Sequence, residues 1–124
     1  MTSSEQMRAA VHTYVESYNR GDLDGIAGIY AADATVEDPV GTPLKRGHAE
    51  LREFFGVGIS MGAKLHLDGP IRCASDSAAF AFHVELEMEG KAQRIDVIDV
   101  FRFDEEGKVA EMRAFFGPEN MGAV

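Results

Sequence analysis

Tryptophan is absent from this chain of 124 residues, and cysteine occurs once, at Cys73. One thiol cannot close an internal disulfide, which excludes a disulfide-stapled scaffold. Cys73 falls in a strand pattern and reads as packing, not as a nucleophile. Positive charge is scarce: 12 Lys and Arg stand against 21 Asp and Glu, a net charge of −9 that repels phosphate backbones and anionic lipid surfaces. Neither nucleic acid nor a membrane is expected as a partner. There is no apolar run of membrane-spanning length, no internal repeat and no low-complexity tract. The start, Met1-Thr2-Ser3-Ser4-Glu5-Gln6, has no basic n-region and no apolar h-region, so a cytoplasmic address is expected. No Gly-rich phosphate loop follows a strand, and no serine elbow is present. His12, His48, His66 and His83 show no spacing that sets two on one face with a carboxylate, so each reads as a surface histidine and no metal site is expected.

What remains is enough for one domain over residues 1–124, with a core and a single pocket. Met7, Val11, Tyr14, Val15 and Tyr18 recur at helical spacing, with a Ser3/Gln6 capping box before them and Gly21 after. Asp22 caps a short second helix whose inner stripe is Leu23, Ile26, Ile29 and Tyr30, although Gly25 and Gly28 weaken its propensity. Ala34 to Asp38 reads as a strand stopped by Pro39, and a third helix runs from about His48, with Leu51, Phe54 and Phe55 inward, until Gly56 and Gly58 break it. From Lys64 the period becomes two, giving strands near Lys64 to Asp68, Ile71 to Ala74, Ala78 to Met88, Ala92 to Asp104 and Val109 to Phe116. In the last of these Ala110, Met112, Ala114 and Phe116 align on one face. Helices followed by a run of strands predict an α+β fold: a curved antiparallel sheet, a meander, wrapped around three N-terminal helices as a cone closed at one end.

Within this pattern Asp99 is out of place. Alternation sets it on the face of Ile95, Val97, Phe101 and Phe103, where a carboxylate loses hydration worth several kcal/mol unless it is paired or keeps its proton. Either that face is half solvated, or Asp99 is an acid held neutral to donate a hydrogen bond; neutrality at pH 7 needs roughly 4 kcal/mol of differential environment. Asp38 also lands on an apolar strand face, with Ala34 and Val36, although Asp-Pro serves equally as a plain turn. Tyr14 projects from the inner stripe of helix one, as a donor or as a core residue with its hydroxyl satisfied. One acid to take a proton and two neutral donors are the minimum kit for abstracting a proton beside a carbonyl. Asp96, of opposite parity and beside Arg94, reads as an ion-paired or interface residue. Phe54, Phe55, Phe82, Met112 and Phe116 supply core or the walls of an apolar pocket, and Tyr30, Val84 and Val97 join them as candidate lining. Ile98 and Val100 put apolar surface on the opposite sheet face.

Gly21-Asp22-Leu23-Asp24-Gly25-Ile26, Ala34-Thr35-Val36-Glu37-Asp38-Pro39-Val40-Gly41, Ile98-Asp99 with Phe101-Arg102-Phe103, and Met112-Arg113-Ala114 resemble the steroid delta-isomerases, or ketosteroid isomerases, over essentially the whole chain. The resemblance implies a conical, nuclear-transport-factor-2-like fold and a homodimer that works without metal or other cofactor on a small apolar steroid, converting 3-oxo-Δ5-steroids into the 3-oxo-Δ4 isomers. It assigns Tyr14 as tyrosine donor, Asp38 as proton carrier and Asp99 as the neutral aspartic acid, a role inherited from the family. Where such enzymes support the donor with further tyrosines, Tyr30 can serve here, while the third-helix position is Phe55, which cannot donate. Rival readings are another enzyme on the same scaffold, a dehydratase or epoxide hydrolase, which usually links two pocket acids through a histidine or arginine, and a non-catalytic dimer that binds an apolar ligand.

Overall fold

The computed structural model describes residues 2–124, and in it two helices come first and a third follows two strands. The Ser3 hydroxyl accepts the Gln6 N–H at 3.1 Å while the Gln6 amide oxygen accepts the Ser3 N–H at 2.8 Å, starting α1 (Ser4–Asn19). Its buried stripe includes Met7, Val11, Tyr14, Val15 and Tyr18. The Asp22 carboxylate accepts the Gly25 N–H at 2.9 Å and caps α2 (Leu23–Ile29).

The third helix, α3 (Gly47–Ser60), runs on through Gly56 and Gly58, where the sequence predicts a break. Gly58 serves packing, whereas a Cβ at Gly56 would meet Leu23 at an ordinary 3.7 Å. A Cβ at Gly58 would fall on the Tyr18 hydroxyl, so the bare backbone is what lets Tyr18 lie against the helix, and its neighbours supply the stability that its propensity lacks. None of the helices is long and apolar enough to cross a membrane.

Eight strands follow and interleave: β1 (Tyr30–Glu37), β2 (Lys45–Arg46), β3 (Lys64–Leu67), β4 (Arg72–Ala74), β5 (Ser77–Met88), β6 (Lys91–Phe103), β7 (Val109–Phe115) and β8 (Met121–Ala123). The sheet order is β2-β1-β7-β6-β5-β3, with β4 also on β5 and β8 on β6. The α+β class and the curved sheet are as expected, but the path is open, not closed. One pair also departs from the antiparallel meander: β1 runs parallel to β7. A parallel pair needs a long crossover, and here α3 and five further strands form it, which reading neighbour by neighbour does not reveal.

Between β5 and β6 the long register, Met88 opposite Lys91 to Ser77 opposite Arg102, is set by the two-residue turn Glu89-Gly90, both at positive φ (55° and 78°). Phe80, Phe82, Val97, Asp99, Phe101 and Phe103 all face inward and are buried. A register shift beside Phe103 reverses the start of β7, so that Val109 and not Ala110 enters the core, while Met112 and Ala114 keep their expected side. On the outer face, β3 pairs with β5 so that His66 stands opposite His83, with Glu85 two residues on. Two histidines therefore do share a face with a carboxylate, against the sequence expectation; the register, invisible in linear spacing, brings them together.

Two glycines of α2 separate propensity from packing. A Cβ at Gly25 would strike Ser17 and Asp22, whereas one at Gly28 would meet nothing within 4 Å. Gly28→Ala is expected to stabilise the chain by about 0.5–1 kcal/mol and Gly25→Ala to destabilise it by about 1–3 kcal/mol, read as opposite shifts of the urea midpoint.

Candidate active site

The helices and the inner sheet face enclose a cavity of about 330 Å³, within the size range of small-ligand sites. Its walls are almost wholly apolar: Phe54, Phe55 and Val57 from α3, Leu65 from β3, Phe82, Val84 and Leu86 from β5, Ile95 and Val97 from β6, and Phe116 beyond β7. Among the described residues only three lining side chains carry polar atoms, Tyr14, Tyr18 and Asp38, and none is histidine or arginine.

Asp38 follows directly on β1 with its Pro39 peptide cis. The alternation that buries Ala34 and Val36 turns Asp38 toward the cavity. Loss of hydration pushes its carboxyl up to about 6, and the Lys45 ammonium works against that rise. Lys45 lies 5.5 Å over the Phe54 ring, at the edge of the site. A carboxyl at about 6 is mostly ionised at pH 7 yet more basic than a surface aspartate, which suits it to accept and return a proton.

Asp99 lies one layer deeper. Its strand partners are Phe80 and Ala114, both buried, and its own exposure is 1%. Neither carboxyl oxygen has a hydrogen-bond partner among the described residues. Burial, followed by the negative charge of Asp38, drives its pKa well above the carboxylate range. The acid therefore keeps its proton and has an O–H to give. It does not line the cavity; it sits behind the wall that Val97, two residues before it, helps to form.

Tyr14 reaches the cavity within an aromatic cage, its ring centroid 5.4 Å from Phe101, 5.8 Å from Phe55 and 6.1 Å from Tyr18. Burial first and then the Asp99 carboxyl raise its phenol pKa well above the usual value, so it too is a neutral donor.

Two expected lining residues belong elsewhere. Met112 is fully buried opposite Phe101 in the sheet, and Tyr30 is buried against Phe55, ring on ring at 5.8 Å; neither borders the cavity. Tyr30 does not support Tyr14 either, since its hydroxyl has no hydrogen-bond partner among the described residues. The sequence reading missed Tyr18, whose phenol burial and the Asp38 charge push up to about 12. Its signal was present: it lies one turn after Tyr14 on the same stripe, opposite the notch at Gly58. Asp96 is on the outer face as expected, accepting from Arg94 Nε at 2.9 Å.

Residues 11–112, a span that holds Tyr14, Asp38 and Asp99, match the SnoaL-like domain family. The sequence is 39% identical to a steroid delta-isomerase of Nocardioides simplex over 119 residues, 95% of each chain. Among solved structures, an epoxide hydrolase/cyclase-like enzyme, SalBIII, with a role in pyran ring formation in the polyether salinomycin, superposes with a TM-score of 0.92 at 29% identity, covering 100% of both chains.

The orphaned Asp99 carboxyl has a consequence for stability. Its folded pKa lies above its unfolded one, so its contribution is complete below about pH 4 and declines as pH rises, at about 1.4 kcal/mol per pH unit while only the unfolded chain has lost the proton. Asp99→Asn removes this loss. The variant's unfolding free energy relative to wild type should therefore rise steadily from pH 4 to pH 7; a difference independent of pH would mean that Asp99 ionises normally in the fold.

Proposed function

The chain belongs to the SnoaL-like domain family and to the steroid delta-isomerase family, and we propose that it isomerises 3-oxo-Δ5-steroids to 3-oxo-Δ4-steroids. The observation that carries this reading is one basic acid, Asp38, and one neutral donor, Tyr14, on the wall of an apolar cavity, with a second neutral donor, Asp99, in the layer behind that wall. On this reading Asp38 removes a proton from C4, the C–H electron pair forms the C3–C4 double bond as the carbonyl π pair moves onto the C3 oxygen, and that oxygen becomes that of a dienolate conjugated with the C5–C6 double bond. The O–H groups of Tyr14 and Asp99 donate to that oxygen as its charge grows. Asp38 then returns the same proton to C6, so the substrate neither gains nor loses an atom. The dry apolar walls favour a steroid body and strengthen both hydrogen bonds. No step calls for a metal or other cofactor. A cytoplasmic location belongs to the same reading.

The likeness to SalBIII favours a second reading, an epoxide hydrolase or cyclase. The cavity supports it less well, since among the described residues no histidine or arginine lies on the wall to link a second acid to Asp38. A non-catalytic apolar-ligand binder is the third, and it leaves both raised carboxyls without a use.

The test is the rise in ultraviolet absorbance of the conjugated enone formed from 5-androstene-3,17-dione. The wild type should turn over with kcat/KM falling tenfold per pH unit below about 6, as Asp38 takes up its proton. Asp38→Asn should lose about 10²–10⁴ in kcat, and Asp99→Ala about 10²–10³. Asp96→Ala breaks only an exposed ion pair and should cost less than about tenfold. An inert wild type, or near-normal turnover by Asp38→Asn, overturns the isomerase; greater damage from Asp96→Ala than from Asp99→Ala overturns the donor assignment.

We also propose a homodimer formed through the outer sheet face. Ile98 is 49% exposed there, beside Phe115 at 42%, and with Val40 they line a shallow groove. Light scattering should report twice the chain mass at micromolar concentration, and a monomer would refute the dimer.

A further inference from the structure

The outer face of the sheet carries a second cluster of chemically able side chains, unrelated to the cavity. His66 of β3 and His83 of β5 are direct cross-strand partners, their rings stacked at 5.0 Å with planes 22° apart. Glu85 lies two residues after His83 and so on the same face. Its carboxylate is 3.1 Å from His83 Nε2 through one oxygen and 3.8 Å from His66 Nε2 through the other. The three ligand atoms all lie within 4.8 Å of one another. On the far side of the His83 ring, Nδ1 stands 2.9 and 2.8 Å from the two oxygens of Asp68.

We propose that His66, His83 and Glu85 form a binding site for a divalent transition-metal ion of the zinc type, with Asp68 holding His83 in the ligating tautomer. Two imidazoles and one carboxylate are the donor set that selects such ions over magnesium or calcium, which prefer oxygen alone. Zinc bonds of about 2.0–2.1 Å put the ligand atoms of one tetrahedron about 3.3 Å apart, so side-chain adjustments of up to about 1.5 Å, with the imidazoles turning out of their stack so that both lone pairs converge, close the site. Asp68 supplies the carboxylate–histidine arrangement by which metal sites fix the imidazole: His83 Nδ1–H donates to it and Nε2 is left with its lone pair toward the metal. The ion lies between His83 Nε2 and Glu85 in place of their direct contact, any proton held there passing to solvent, and a solvent molecule completes the fourth position.

The neighbouring charges permit this. Lys64 and Arg94 are the strand partners of Glu85 on either side and would neutralise it if they turned toward it. Both are engaged elsewhere: the Lys64 ammonium donates to the Asn19 carbonyl at 2.8 Å, and Arg94 pairs with Asp96 at 2.9 Å and approaches Asp68 at 3.9 Å. Glu85 is thus left to the histidines. With Asp68 and Asp96 opposed by Arg94 alone, the patch stays net negative, which suits a dication. The His66 and Glu85 side chains are 47% and 55% exposed, so an ion reaches them without any opening of the fold. Occupancy ties β3 to β5 from outside, and the inner faces of these strands carry Leu65, Phe82 and Val84 of the cavity wall. The site thus braces the pocket without entering it, and it stands whether or not the chain isomerises steroids.

The test is calorimetric titration of the untagged full-length chain with zinc chloride, with magnesium chloride as control. One zinc ion per chain and no magnesium response are expected. His66→Ala and Glu85→Gln should each weaken zinc binding at least about tenfold, and Asp68→Asn about 10–100-fold. His12→Ala, remote in the sequence from the cluster, should leave it unchanged. Zinc should also raise the melting temperature of the wild type but not of His66→Ala, an exposed change whose circular dichroism should match the wild type. Absence of saturable zinc binding, or binding that survives His66→Ala and Glu85→Gln within about twofold, overturns the site.

Discussion

The loss of water from Asp99 is the constraint on which the rest of this structure turns. A carboxyl 1% exposed and without a hydrogen-bond partner among the described residues survives in a core only as the neutral acid. Its surroundings enforce that state: Phe80 and Ala114 flank it across the sheet, Phe101 follows on the same face, and Tyr14 packs over Phe101. The Asp38 charge works in the same direction, raising Asp99 further, so the two carboxyls are driven to different protonation states by different depths of burial. Where one acid is to be base and its neighbour donor, that divergence is the requirement, and a polar core would abolish it.

The aromatic cage explains why the site holds its shape with so few hydrogen bonds. Tyr14 meets Tyr18, Phe55, Phe80 and Phe101 edge to face, and Phe55 in turn stacks on Tyr30. Such contacts fix ring positions by packing and quadrupole preference, without using up the hydroxyl. A tyrosine network would orient the donor through hydrogen bonds and share its proton; with Phe55 at the third-helix position and the Tyr30 hydroxyl unpartnered among the described residues, packing carries that task. The glycine notch at Gly58 belongs to the same arrangement, since it lets Tyr18 occupy the wall beside Tyr14.

How much of this was legible in the sequence depends on the range over which each feature is decided. The Ser3/Gln6 box, the Asp22 cap and the inward parity of Asp38 and Asp99 are local, settled by residues a few positions apart, and they stand as read. Gly58 misled because its reason lies on another helix. Val109 misled because a register shift beside Phe103 reverses the alternation, and such a shift leaves no mark in the hydrophobic pattern. The parallel pairing of β1 with β7 and the meeting of His66 with His83 are long-range facts, decided by where the chain returns. The roles of Tyr14, Asp38 and Asp99 were suggested by resemblance; what geometry adds is their environment, an apolar wall for two of them and a sealed layer behind it for the third.

A shape shared with an epoxide hydrolase/cyclase-like enzyme at a TM-score of 0.92 leaves the reaction undecided, because this scaffold fixes only a cavity between helices and sheet. The reaction is set by which few wall positions are polar. Here alternation on β5 and β6 assigns the inner face to Phe82, Val84, Ile95 and Val97, and the outer face to His83, Glu85, Arg94 and Asp96. Every histidine and arginine of these two strands is thus kept off the cavity wall. Among the described residues the wall of such a cavity carries no histidine, arginine or lysine to activate a water or an epoxide oxygen, Lys45 standing only at its edge, and its one acid is basic enough to move a proton. What such a wall can still do is carry that proton a short way along an apolar ligand while neutral donors hold the charge at the other end, which is the chemistry of an allylic shift.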